Sequence, residues 1–203
     1  MNTAAFAAGS ARPDQRAALS VALWVFIGVA SALFALFLAA YLMRMNGSDW
    51  APLAPPWQLG LSTCLLIAAS LLMQLSRRSA RAAQSPASRR LLTLGGLASL
   101  GFLAAQLWAW QALAARQVTL AGNPAGSFFY LLTAMHGLHV LGGLVIYTLT
   151  WRHCWQAQQP DSDDWQIALC ARYWHFLLAV WLLLYAALAW LTPELVQTIC
   201  GTR

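Results

Sequence analysis

Apolar positions along the chain fall into five long runs: Ala18 to Met43, Trp57 to Ser76, Leu91 to Leu113, Ser127 to Trp151 and Ala168 to Leu191. A membrane-spanning helix needs about 20 apolar residues, and each run supplies them. None contains Asp or Glu, and Arg172 lies only at the edge of the last. The spacers are polar and punctuated. Asn46-Gly47-Ser48-Asp49 runs on to Pro52, Pro55 and Pro56, and Arg77-Arg78-Ser79-Ala80-Arg81 leads to Pro86 and Arg89-Arg90. Asn123-Pro124 interrupts the third spacer and Pro160 the fourth. The pattern predicts an all-α membrane protein, five transmembrane helices in one bundle over 18–191 (18–43, 57–76, 91–113, 127–151, 168–191). Residues 1–17 read as a polar tail without a secretory signal, and 192–203 as a second tail.

Composition sharpens this. Of 203 residues 60% are hydrophobic and 9% charged, against about 25% charged in soluble domains. That excludes an ordinary soluble enzyme and a disordered chain. The net charge is +6, and all twelve basic residues are Arg. Nine of them (Arg12, Arg16, Arg77, Arg78, Arg81, Arg89, Arg90, Arg152, Arg172) lie in the tail and even-numbered loops, and three (Arg44, Arg116, Arg203) on the other side. The positive-inside rule therefore puts the N-terminus in the cytoplasm and the C-terminus outside. Topology and anionic lipid account for the basic charge, so nucleic acid is not a partner. The four Cys (Cys64, Cys154, Cys170, Cys200) form no C-x-x-C pair. Trp57, Trp151, Trp174 and Trp190 stand near span ends, where indoles form an interfacial belt.

Small residues predict close helix contacts: Gly28 and Ser31 in the first run, Gly95, Gly96, Ser99 and Gly101 in the third, Gly137, Gly142 and Gly143 in the fourth. Ser127 is a candidate cap for the fourth helix. Polar residues at membrane depth are few: His136 and His139, His175, Gln74, Gln106 and Gln111. Each calls for a functional hypothesis. His136 and His139 are three apart and share a helix face. They fit a metal site, a heme ligated by His139 and His175, or structural histidines that bond a carbonyl or polar side chain of a neighbouring helix. A metal site wants further ligands, and no Asp or Glu accompanies the pair on the fourth helix. No phosphate-binding glycine loop and no buried Ser–His–acid set can be assembled, so the chain has no catalytic centre of its own.

The stretch Phe128-Phe129-Tyr130-Leu131-Leu132-Thr133-Ala134-Met135-His136-Gly137-Leu138-His139-Val140-Leu141-Gly142-Gly143 resembles the H-G-x-H-V-x-x-G signature of subunit III of heme–copper oxidases. Tyr173-Trp174-His175-Phe176, with Val180-Trp181-Leu182-Leu183-Leu184-Tyr185, resembles a second signature of that family. Trp24-Val25-Phe26-Ile27, Phe34, Ala39-Ala40-Tyr41 and Pro55-Pro56 extend the likeness, which covers about residues 20–191 and the short five-helix form. Two departures stand out. The family usually carries a buried Glu where this chain has Ala30, and an Asp where it has Leu178.

The resemblance implies an accessory, non-catalytic subunit III of a respiratory terminal oxidase in the bacterial inner membrane. It implies direct packing on subunit I, with subunit II in the same complex. Phospholipids are held between the helices; this chain binds neither heme nor copper, which reside in the partner. His136, Gly137, His139, Val140, Gly143, Tyr173, Trp174, His175, Phe176 and Trp181 carry the signature. Arg152 and Arg172 are candidate lipid head-group contacts, or plain positive-inside anchors. Two alternatives remain: the subunit III-like accessory protein of a nitric oxide reductase, and a small heme- or metal-binding electron carrier.

Overall fold

The structure, a computed structural model, describes residues 13–82, 84–118, 122–156 and 164–191. Five helices follow one another: α1 (Pro13–Arg44), α2 (Gln58–Arg81), α3 (Ser85–Ala115), α4 (Pro124–Gln156) and α5 (Asp164–Trp190). All five are long and apolar enough to cross a membrane, and no strand occurs among the described residues. Most helices overrun their apolar runs. Hydropathy marks only the part of a helix that needs hydrocarbon, whereas the hydrogen-bond ladder continues into polar flanks until a breaker stops it. Thus α1 begins at Pro13, inside the stretch assigned to the tail, and α3 begins at Ser85 with a proline in its first turn. The tail 192–203, with Cys200 and Arg203, lies outside the described residues.

The cap of α4 is Asn123, not Ser127. Asn123 Oδ1 accepts from the Ala125 amide at 3.0 Å, and Pro124 fills the first helical position, where a missing N–H costs nothing. The Ser127 hydroxyl instead donates back to the Asn123 carbonyl at 3.2 Å. Asn123 Nδ2 also donates to the Ala51 carbonyl at 2.7 Å, tying the first and third loops together.

α2 and α3 form an antiparallel hairpin. At its Arg-rich end Ser76 Oγ donates to the Ser88 carbonyl (2.9 Å) and Ser88 Oγ to the Ser76 carbonyl (3.0 Å). α4 packs on α3 and α5, and α5 on α2, α4 and α1. α5 is the hub, with Ala171, Trp174, Leu177 and Trp181 all completely buried. α1 lies at the margin; it is joined to the rest by a cluster of Phe34, Tyr41 and Met45 with Leu132, Val180 and Leu184.

Indole–hydroxyl bonds fasten helix to helix. Trp174 Nε1 donates to Ser99 Oγ (2.7 Å), Trp181 Nε1 to Thr63 Oγ1 (2.9 Å), Trp110 Nε1 to Thr133 Oγ1 (3.0 Å) and Trp151 Nε1 to Thr93 Oγ1 (2.9 Å). Each hydroxyl passes its own proton to a carbonyl one turn back, to Gly95, Leu59, Phe129 and Arg89. In these four pairs every N–H and O–H proton has an acceptor, as hydrocarbon surroundings favour. Trp174 therefore belongs to the interior and not to the interfacial belt, whereas Trp57 and Trp190 stay exposed. The small residues divide similarly. A Cβ on Gly143 would meet Tyr173 Cε1 at 2.6 Å, and one on Gly96 would collide with the Tyr147 ring. One on Gly28 or Gly142 would meet nothing within 4 Å, so those two make no close helix contact.

Candidate functional site

The two signature stretches meet where α4 and α5 face each other, and α1 and α3 close the sides. His136 is fully buried. Its ring lies 5.1 Å from that of Trp181, 5.6 Å from Phe102 edge-on and 6.2 Å from Phe34. Neither ring nitrogen has a hydrogen-bond partner. A structural histidine was expected to bond a neighbouring helix, and His136 does not.

His139, one turn further on, is half-buried. Its Nδ1–H donates to the Met135 carbonyl of its own helix at 2.7 Å, and its ring packs 5.1 Å from Phe34 and 5.9 Å from Phe26. The His139 carbonyl accepts from Tyr173 Oη at 2.9 Å. Ala30 is buried on α1 between the turns that carry Phe26 and Phe34.

His175 is held elsewhere, against α2. The Gln74 Oε1 atom can only accept, so Nε2 of His175 carries the proton and donates to it at 3.3 Å. The Ser70 hydroxyl then donates to Nδ1 at 2.6 Å. The three histidines therefore do not converge, and among the described residues no group of three or more His, Cys, Asp or Glu is placed to hold a metal ion. A chain-borne heme between His139 and His175 would need both imidazoles turned to one space, and they are turned to different helices.

The other signature residues frame this arrangement. Val140 is buried in the core with Trp174 and Trp181, and Gly137 lies 3.9 Å from Leu103 measured from a notional Cβ. Phe176 packs 6.1 Å from the Tyr173 ring. The hydroxyls of Ser62, Thr63 and Ser70 carry no signal in the sequence, and Ser99 stands out there only as a small residue for close helix contact. Nothing in one dimension pairs Ser99 with an indole 75 residues away.

Between α1, α4 and α5 a groove of about 880 Å³ opens to the exterior. Leu23, Phe26, Leu138, His139, Gly142 and Ile146 are among its lining residues, and His153, Trp165 and Gln166 line it at the Arg-rich end. Close by, Arg172 donates to Ser20 Oγ at 3.3 Å and lies 5.4 Å over the Trp24 ring, while Arg16 lies 5.7 Å over Trp165. Arg172 thus bridges α5 to α1 at the end of the groove, and Arg152 is exposed on α4.

Comparison with known proteins matches the same residues. A family described as cytochrome c oxidase subunit III matches residues 14–192. The probable cytochrome c oxidase subunit 3 of Mycobacterium tuberculosis is 29% identical over 175 residues, 84% of this chain and 82% of that protein. The cytochrome c oxidase subunit 3 of Synechocystis is 28% identical over 167 residues, 79% of this chain and 70% of that protein. That of Petromyzon marinus is 31% identical over 131 residues, 64% of this chain and 49% of that protein.

Proposed function

The chain belongs to the cytochrome c oxidase subunit III family, and from that premise we propose that it is the accessory subunit of a respiratory terminal oxidase that steadies the catalytic subunit and holds phospholipid. Membership makes it a multi-pass membrane protein of an oxidase complex with other subunits. The finer assignments are direct packing on subunit I, subunit II in the same complex, and a bacterial inner membrane with the Arg-rich end toward the cytoplasm. The chain binds neither heme nor copper, which its partner supplies. The observation that carries the reading is the coincidence of the family match with the frame. Tyr173, Trp174 and Trp181 lock α5 to α4, α3 and α2 through His139, Ser99 and Thr63. Signature residues spent on helix packing fit a scaffold.

The groove supports lipid binding. Its walls are apolar, as acyl chains require, and Arg172, Arg16 and His153 gather at the end where a phosphate would sit. Purification from the native membrane in mild detergent, followed by mass spectrometry, tests the assignment. Heme–copper subunits I and II in equal amount are expected. A nitric oxide reductase pair, or no heme-protein partner, overturns it.

A further inference from the structure

α2, α3 and α4 each bring buried polar side chains into the interior of the bundle: Ser62 and Gln58, Gln106, and His136. Gln106 Nε2 donates to Ser62 Oγ at 2.9 Å, and Ser62 passes its proton to the Leu59 carbonyl at 2.9 Å. The Gln106 amide nitrogen thus faces Ser62, and its oxygen is turned away from that hydroxyl. Its Oε1 is buried and has no partner. On α3, Phe102 meets the His136 ring, and Trp110 bonds Thr133 one turn from His136. Gln106 lies midway between Phe102 and Trp110 on the same face, so it is opposite the turn of α4 that carries His136. Gln58 Oε1, one turn before Ser62, is likewise buried without a partner.

Both ring nitrogens of His136 and the amide oxygens of Gln106 and Gln58 are buried with no protein partner, and a neutral imidazole offers one N–H and one acceptor nitrogen. The indole N–H groups of Trp110, Trp174 and Trp181 are already given to Thr133, Ser99 and Thr63. Buried polar groups in native proteins find a partner, and where protein supplies none an enclosed water does. A divalent cation would want six or more oxygen ligands, and two amide oxygens with one imidazole fall short. An anion would meet acceptors.

We propose that the α2–α5 interior is hydrated here, with a bound water that donates to Gln106 Oε1 and bonds a ring nitrogen of His136. Gln58 continues the polar track toward the end of α2 opposite the Arg-rich end. The water fixes the tautomer of His136 and supplies the partner that Gln106 Oε1 lacks within the protein.

A cryo-electron microscopy map of the intact oxidase complex, at a resolution that shows ordered water, decides the matter. Density within hydrogen-bond distance of both His136 and Gln106 Oε1 is expected. A dry interior, or a direct bond between the two side chains, overturns the proposal. His136→Phe, Gln106→Leu and the double variant give a second reading, as retention of this chain in the complex on heating. A shared water predicts that each single variant lowers the half-retention temperature and that the double loses no more than the worse single. Additive losses, or a rise in His136→Phe alone, overturn the proposal.

Discussion

His136, His139 and His175 differ in what their ring nitrogens touch, and that difference ranks the cost of replacing them. His175 satisfies Ser70 and Gln74 across a helix interface. Interhelical hydrogen bonds in membranes contribute about 0.6 kcal/mol each on average, so His175→Leu should cost about 1 kcal/mol in thermal unfolding. His139→Leu gives up only a bond within α4 and should cost less in the same assay. Gly143 and Gly142 make a sharper pair. A Cβ at Gly143 meets the Tyr173 ring at 2.6 Å and one at Gly142 meets nothing. Overpacking of this kind costs about 1–3 kcal/mol. Gly143→Ala should therefore lower the melting temperature of the complex, and Gly142→Ala should leave it unchanged. Hydrogen bonding to Arg44 holds the Asp49 carboxyl below its usual pKa. Its contribution is present above a pH of about 3.9 and fades as pH falls through the lowered native value. Both groups are exposed, so Asp49→Asn should not shift melting measurably at pH 7. At this scale the sequence showed which residues are polar at depth but not their partners. The two glycines are neighbours in one apolar run, and only the crossing of α4 and α5 tells them apart.

Single elements were more legible. Five apolar runs became five helices because a chain in hydrocarbon must satisfy its backbone internally, and length decides the rest. Their ends were read short, since the turns around Ser85 and Gln156 carry no hydropathy signal. The start of α4 shows why a cap is hard to place by residue type alone. Ser127 and Asn123 are both good caps, and Pro124 decides for Asn123 by fitting only the first helical position. Asn123→Ala removes that cap and the bond to Ala51 together. The expected loss is about 1–2 kcal/mol, with faster amide exchange in the first turn of α4. Wild-type exchange there would show that Pro124 alone starts the helix. Ser127→Ala, which leaves the cap in place, should exchange as the wild type does.

At the scale of the molecule the bundle and α1 are built differently. α2 to α5 are joined by indole–hydroxyl bonds and a continuous core, whereas α1 is held by aromatic packing around Phe34 and Tyr41 and by Arg172 at its other end. Between those two attachments the helices leave the groove of about 880 Å³. On the proposed lipid-holding role, acyl chains fill this groove and help α1 keep its place. Gly142 gives access to this idea without disturbing the frame, because it lines the groove and has open space beside it. Gly142→Phe puts a ring where the lipid chains would run. The variant should assemble with its oxidase partners, yet the purified complex should retain less phospholipid per copy by native mass spectrometry. Because the ring takes over the support of α1, the loss of lipid should not loosen α1. Unchanged lipid with normal assembly would overturn the groove as the lipid site.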